Sequence, residues 1–244
     1  MERGLFIKRK TFDLVKNAFE ASGVREEEKI ALYFGKLDDL YQRFFSGTRL
    51  SPDPSSRARA LFEWLWKVKP ARYKPQGHYR LSEVIDAQTD PNEQTVGNCL
   101  GLTLLYNCLL RKMDIMAEAL YLEDGFGRGP HVLTFLRIAE SPIDVENVLR
   151  DGFDYKGHLS NTLRVRWGDR ELVADIHLSQ GNELFKAGEF AQALKSYNAA
   201  LHFNPKYEKA YLNRLILIDK MKEEKNGTKG NSTGQGAKDS SDAK

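Results

Sequence analysis

The sequence predicts an α+β protein, with helices at both ends of the chain and a helix with an antiparallel sheet in the middle. Three observations support this prediction. Apolar residues recur at helical spacing in the first third, short Val- and Leu-rich runs alternate with turn residues in the middle, and helical spacing returns after His177. The 244 residues suffice for one sizeable core and a small appendage. We expect four regions: a helical N-terminal region at 1–70 packed on the core, the core at 71–176, a helical hairpin with a closing helix at 177–221, and a disordered tail at 222–244.

The N-terminal region is expected to consist of helices that cover the core. Residues 5 to 46 show a helical stripe of Phe, Val, Leu and Tyr, interrupted at Ser22-Gly23. A further helix is predicted over 57–68, because a Ser- and Asp-rich run precedes it and Pro70 follows it. Its aromatic residues are interpreted as core.

The segment from Gly97 to Leu110 predicts a buried helix that begins at Cys99. Leu residues and Tyr106 recur at i, i+3, i+4, i+7 and i+8, the spacing of one buried face. Cys99 would then lie in the first turn, where free backbone N–H groups and the positive end of the helix dipole favour a thiolate. Cys108 lies mid-helix among leucines and is expected to be inert core packing.

Five apolar runs in the middle of the chain are predicted to be strands. A strand at 115–122 is followed, after a Gly-rich loop, by a hairpin in which Ala139-Glu140-Ser141 is the turn. Gly168-Asp169 is a turn pair between two further runs, which predicts a second hairpin. The strands of the first hairpin are His131–Ile138 and Pro142–Glu146, and those of the second are Leu163–Trp167 and Glu171–Ile176.

After His177 the residues fall at the spacing of a tetratricopeptide repeat. Small residues occur where two helices must approach closely, and Pro205 ends the second helix. Asn182, Lys186 and Asn213 occupy positions at which some tetratricopeptide proteins hold the carboxylate of a peptide, so a protein partner could bind here. From residue 222 the chain has no aromatic or branched aliphatic residue, which predicts the disordered tail.

Composition narrows the possible functions. The net charge is only +3 and both signs are interleaved, which argues against a nucleic-acid partner. Two cysteines form neither a disulfide framework nor, without a nearby His/Cys cluster, a structural zinc site, and we expect no metal and no cofactor. The first ten residues lack the apolar core of a signal peptide and no run has membrane-spanning length. We therefore expect a cytoplasmic protein with no membrane association.

The order Cys99, His131, Asp144 suggests a nucleophilic site. A thiolate is formed by a neighbouring imidazole, whose orientation and tautomer are maintained by a carboxylate. If His131 and Asp144 lie on paired strands, they could face each other across the sheet. His78, His158, His177 and His202 lack any surrounding motif and are expected at the surface or in turns.

These residues resemble the transglutaminase-like superfamily. Three sequences carry the resemblance: Gly97-Asn98-Cys99-Leu100-Gly101-Leu102, Pro130-His131-Val132, and Ile143-Asp144-Val145-Glu146-Asn147. The nearest branch is the SirB1-like one, whose members can have C-terminal tetratricopeptide repeats. The resemblance, which covers about 80–176, implies a papain-like fold in which a helix bearing Cys packs against an antiparallel sheet bearing His and Asp.

By this resemblance, Cys99 is the nucleophile, His131 the base and acid, and Asp144 the orienting carboxylate. The backbone N–H of Cys99 and a polar side chain, for which Gln94 is the candidate, would stabilise the oxyanion. The sequence lacks the aromatic residue that commonly follows His in the superfamily and the Asp-Pro-Thr after the last strand. Asp175, at the end of a predicted strand, is therefore an alternative third member.

Two functions remain open at this point. One is thiol-dependent acyl transfer or amide hydrolysis on a protein or peptide substrate, with an amine or water as acceptor. The other is a catalytically inactive transglutaminase-like protein that acts, together with its repeat, as an interaction module.

Overall fold

The computed structural model describes residues 12–138 and 141–230. These residues form eight helices and a four-stranded antiparallel sheet, so the α+β prediction is confirmed. The elements, in order, are α1 Leu14–Ala21, α2 Glu27–Ser46, α3 Pro54–Val68, α4 Leu81–Thr89, α5 Cys99–Arg111, β1 Ala117–Leu122, β2 His131–Ile138, β3 Ser141–Val145, β4 Arg164–Trp167, α6 Asp169–Lys186, α7 Phe190–Phe203 and α8 Glu208–Gly230.

The helix starts follow local capping chemistry. The Asp13 side chain accepts a hydrogen bond from the Lys16 N–H at 3.1 Å, and Asp53 caps α3, which has Pro54 in its first turn. The predicted helical residues 5–11 lie outside the described residues, as do residues 139 and 140 of the predicted turn.

The sheet has the strand order β3-β2-β1-β4 and is packed against α5. Every residue of α5 from Leu100 to Leu110 is buried, because the sheet and the N-terminal helices enclose it. The Tyr106 hydroxyl donates to the Ala58 carbonyl of α3 at 2.8 Å, which satisfies its polar group inside this core. The helix that begins at Cys99 is thus the centre of the core.

The second predicted hairpin is wrong, because its second strand is the start of α6. The Leu172 N–H donates to the Gly168 carbonyl, and the Glu171 carboxylate accepts from the Gly168 N–H at 3.0 Å, as in a capping box. The side chains of Leu172, Val173 and Ile176 are fully buried at helical spacing. Over six residues, this pattern was indistinguishable from a buried strand.

The chain divides into two compact units between Ile176 and His177. The second unit contains most of α6 together with α7 and α8. A Cβ atom at Gly181 would approach the Tyr197 ring to 2.5 Å, so the small residue in α6 permits close contact with α7. Helix α8 extends to Gly230, so the segment from Lys222 to Gly230, predicted to be disordered, is helical. Its Lys and Glu residues have high helix propensity, which explains the difference. Residues 231–244 of the predicted tail lie outside the described residues.

Candidate active site

Cys99 is the first residue of α5, as predicted, and the side chain of Asn98 caps this helix start. The Asn98 side chain accepts a hydrogen bond from the Gly101 N–H at 3.1 Å, and the Asn98 N–H donates to the His78 carbonyl at 3.0 Å. A Cβ atom at Gly101 would be only 2.3 Å from the His78 carbonyl oxygen, so this backbone packs tightly. Cys99 itself is half-buried and lines a cavity.

His131 begins β2 and lies beside Cys99. Its Nε2 is 2.8 Å from Oε2 of Glu146, and the Cys99 thiol lies close enough to the ring to raise its pKa. Because Nε2 faces the carboxylate, Nδ1 is the nitrogen left for the sulfur. Burial by itself lowers the pKa of His131, but the interactions with Cys99 and Glu146 raise it to about 10. Imidazolium is therefore the favoured form of this ring at neutral pH.

Glu146 is the carboxylate partner of His131, and it also binds a second histidine. The Glu146 side chain is fully buried, and its Oε2 is 2.9 Å from Nε2 of His158. The Val148 N–H donates to Oε1 at 3.3 Å. Burial raises the pKa of Glu146, yet the two imidazoles outweigh burial and hold that pKa below its ordinary value. Glu146 is therefore charged over most of the pH range.

Asp144 does not occupy the predicted position. The register pairs it with Phe135, four residues along β2 from His131, and its Oδ2 accepts from Arg164 at 2.5 Å. Burial raises the pKa of Asp144 in spite of this ion pair. Glu146 reaches His131 instead because it follows β3 on the side nearer the start of β2.

Asp175 also fails to take the third position. The sequence predicts it near the end of a strand, but it lies within α6. Glu146 is the carboxylate bound to His131.

The predicted oxyanion residue, Gln94, is exposed and is not among the described residues that line the cavity at Cys99. Tyr73 lines that cavity and pairs with Gly97 in an isolated parallel bridge just before the helix. Burial and the neighbouring charge of Cys99 raise the pKa of Tyr73, so its hydroxyl keeps its proton. The Tyr73 hydroxyl is thus a better candidate donor than Gln94.

The cavity at Cys99 has a volume of about 360 Å³ and a mixed lining. Tyr73, Phe126 and Leu149 provide apolar surface, Arg128 contributes an exposed cation, and Cys99 and His131 lie together in its wall.

Phe126 covers the two histidines. Its ring centroid is 5.4 Å from that of His131 and 4.7 Å from that of His158, both edge-on. Phe126 has φ 58°, which for an aromatic residue is uncommon, and neighbouring Gly125 packs against His131 so closely that a Cβ atom would be 2.3 Å from the His131 Cβ. The loop thus has a defined conformation over the site.

A buried network of neutral side chains holds the helix and the strands in register beneath the site. The Asn147 amide donates to Thr134 Oγ1 at 2.9 Å and to Thr103 Oγ1 at 3.2 Å, and Thr134 donates to Asn107 at 2.7 Å. Because Asn147 follows Glu146 directly, this network also fixes the position of the carboxylate.

Among the described residues, one group of side chains could hold a metal ion. The ligand atoms of His131, Glu146 and His158 all lie within 4.8 Å of one another, and all three residues are buried. The sequence predicts His158 in a turn or at the surface, because no motif surrounds it, but the structure buries it. The sequence offers a signal for Glu146, because side chains two residues apart on a strand share a face and Glu146 is two residues beyond Asp144.

In the repeat, the structure brings together the three predicted peptide-binding residues. Asn182, Lys186 and Asn213 line a cavity of about 220 Å³ with Phe185, Tyr197 and Ile216. The Asn213 amide and the Tyr197 hydroxyl both donate to Oδ1 of Asn182, at 2.8 and 2.9 Å. Lys186 is therefore the cation available to a carboxylate in this cavity.

The family comparison identifies one segment. Residues 181–214 match the model of the TPR repeat family, in agreement with the predicted tetratricopeptide spacing. Repeats of this kind are typical of protein–protein interaction. Comparison with curated proteins and with solved structures finds no match. No helix within the described residues has the length and apolar character needed to span a membrane.

Proposed function

We propose that the protein is a cysteine-dependent acyltransferase or amide hydrolase. The observation that carries this proposal is the chain of contacts from Cys99 through His131 to Glu146 at the wall of a cavity. A thiol, an imidazole and a buried carboxylate in this order are the parts of a cysteine nucleophile site.

The first step would be attack by the thiolate. In the resting site His131 already holds the thiol proton at Nδ1 as an imidazolium, and Glu146 stabilises this imidazolium at Nε2. The sulfur attacks the carbonyl carbon of an amide, and the backbone N–H of Cys99 and the Tyr73 hydroxyl are the candidate donors to the oxyanion. His131 then returns its proton to the leaving amine, which leaves a thioester on Cys99.

The second step determines the reaction class. Water or a primary amine attacks the thioester carbonyl and gives a proton to His131. The C–S bond then breaks and Cys99 leaves as the thiolate. Water thus gives a carboxylic acid by hydrolysis, and an amine gives a new amide by transamidation. The resemblance to the transglutaminase-like superfamily supports the proposal, with Glu146 in the role first given to Asp144. The apolar walls and Arg128 favour a peptide substrate with an acidic group near the reacting amide.

Alkylation of Cys99 tests the reactive pair. In a Cys108→Ala background, we expect iodoacetamide to modify Cys99 rapidly at pH 6, and His131→Ala to slow the reaction about a hundredfold. His202→Ala, at an exposed histidine of the repeat, is the control and should have no effect. Equal labelling rates in the His131→Ala and control proteins at pH 6 would refute the pair.

Acylation tests the chemistry itself. With p-nitrophenyl acetate, mass spectrometry should detect an acetyl group on Cys99 that is absent in Cys99→Ser. Its release by water alone, or faster release by an added primary amine, distinguishes hydrolysis from transfer. If Cys99 reacts with iodoacetamide but is never acetylated by p-nitrophenyl acetate, the protein lacks the proposed activity.

A second function is supported by the TPR repeat. We propose that its cavity binds a peptide whose carboxylate pairs with Lys186, while the peptide side chains contact Phe185 and Ile216. Fluorescence anisotropy with acidic peptides should show binding that is weakened at least tenfold by Lys186→Ala and by amidation of the peptide C-terminus. Lys195→Ala is the control on the neighbouring helix and should bind as tightly as wild type. The proposal would be contradicted if neither Lys186→Ala nor amidation of the peptide weakened binding.

A further inference from the structure

We propose that His131, Glu146 and His158 form a binding site for a zinc-like divalent transition-metal ion, which inhibits the cysteine site when it is occupied. The inhibitory effect depends on the proposed function, but the binding site itself does not. Three donor atoms converge there: Nε2 of His131, Nε2 of His158 and Oε2 of Glu146.

The distances leave room for an ion after a small movement. Both nitrogens are now hydrogen-bonded to the same oxygen, at 2.8 and 2.9 Å. Tetrahedral zinc with bonds of about 2.0–2.1 Å requires ligand atoms about 3.3 Å apart. The two Oε2···Nε2 distances must therefore lengthen by roughly half an ångström, and the two nitrogens, which lie within 4.8 Å of each other, must take up the same separation.

The donor types select the class of ion. Two imidazoles and one carboxylate suit zinc and neighbouring transition metals, whereas calcium and magnesium prefer oxygen ligands. The carboxylate is charged and the site is nearly dry, since His131 and His158 are each 5% exposed and Glu146 is 0% exposed. A cation would thus meet an anion with little water to displace.

The route to the site leads past Phe126. This ring is 44% exposed, lines the cavity at Cys99 and contacts both histidines. Metal binding at Nε2 displaces one proton of the His131 imidazolium to solvent, and the remaining ring proton resides on Nδ1, where it faces Cys99. Metal binding therefore removes both the proton acceptor of the thiol and the carboxylate that supports it.

Isothermal titration with Zn²⁺ is the test of binding. The full chain, with affinity tags removed and freed of metal by chelator, should carry Cys99→Ala so that the thiol cannot act as a ligand. We expect one ion per chain, and at least a tenfold weaker affinity after the further change His158→Gln. His202→Gln is the matched control and should bind as tightly as its parent.

Two results would overturn the site: no stoichiometric binding in Cys99→Ala, or equal affinity in His158→Gln. If His158→Gln does not fold by circular dichroism, Glu146→Gln gives the same test by removal of the anionic ligand. In the protein with Cys99 intact, saturating Zn²⁺ should slow alkylation at least tenfold, and chelator should restore the rate. Alkylation of Cys99 without metal tests the proposed function, whereas Zn²⁺ titration of Cys99→Ala tests the metal site. The two proposals can therefore fail independently.

Discussion

The first and last turns of α5 each contain a cysteine, and the two thiols have opposite environments. Cys99 is half-buried and lines a cavity together with His131, whose pKa it raises. Cys108 is fully buried, and burial raises the pKa of Cys108 to about 12. The same residue type on one helix is therefore suited to chemistry at one end and to packing at the other.

The difference arises from groups outside the helix. Capping by Asn98 positions Cys99, but its partner comes from β2 and the carboxylate from the residue after β3. At the other end of the helix, burial is the main cause of the raised pKa of Cys108. A cysteine at a helix start thus becomes a candidate nucleophile only when the sheet brings an imidazole to it.

The largest expected effect separates the two carboxylates of the β3 region. Glu146→Gln should slow alkylation of Cys99 at pH 6 about a hundredfold, because the imidazolium of His131 loses its anionic partner. Asp144→Asn should change the rate less than about twofold, since Asp144 pairs with Arg164. Rates are measured with iodoacetamide in the Cys108→Ala background. A larger loss of rate in Asp144→Asn than in Glu146→Gln would show that Asp144 is the carboxylate that supports His131.

The next effect tests how tightly the Cys99 end is packed. Gly101→Ala should reduce the free energy of unfolding by about 2 kcal/mol, because the new methyl group meets the His78 carbonyl and Val84. Gly35→Ala, in an exposed part of α2 with nothing within 4 Å, should instead stabilise the protein by up to about 1 kcal/mol. Urea titration gives the change in the free energy of unfolding for each variant. Changes of the same sign in both variants would contradict the structure.

The charge of His131 predicts that the free energy of unfolding depends on pH. Its pKa rises from 6.5 to about 10 on folding, so the protonated ring stabilises the folded state fully below about pH 6.5, and this stabilisation declines as the pH rises towards 10. The unfolding free energy of wild type relative to His131→Gln should therefore fall by about 3 kcal/mol between pH 6.5 and pH 9.

Denaturant titrations at several pH values measure this difference, in which other titrating groups cancel. Because the pKa of Glu146 is lowered on folding, its contribution is present above about pH 4.5 and declines below that value. A difference that grows above pH 6.5 would show that His131 is neutral in the folded protein.

The smallest effect concerns Cys108. Cys108→Ala should destabilise the protein by about 1 kcal/mol through a small cavity, without any change in the alkylation rate of Cys99. In wild type, iodoacetamide should reach Cys108 only after unfolding. Thermal denaturation and peptide mapping check these two expectations, and ready labelling of Cys108 in the folded protein would contradict its burial.

The sequence alone was sufficient to predict the α+β class, the start of α5 at Cys99, strand β2 from His131 to Ile138 and the tetratricopeptide repeat. These features depend on local periodicity, on a capping residue and on spacing within a few dozen neighbours. Cys99 and His131 could be paired because a helix start and a strand start are both local signals.

Tertiary structure alone decided the rest of the site. The register of β3 placed Asp144 opposite Phe135 and left Glu146 for His131, and a chain reversal brought His158 onto the same oxygen. No pattern within the chain encodes strand register or the packing of a distant loop, because both depend on which buried groups meet across the core. The physical reason is that a carboxylate in a dry interior remains charged only beside its partners, and those partners are defined by three-dimensional contact.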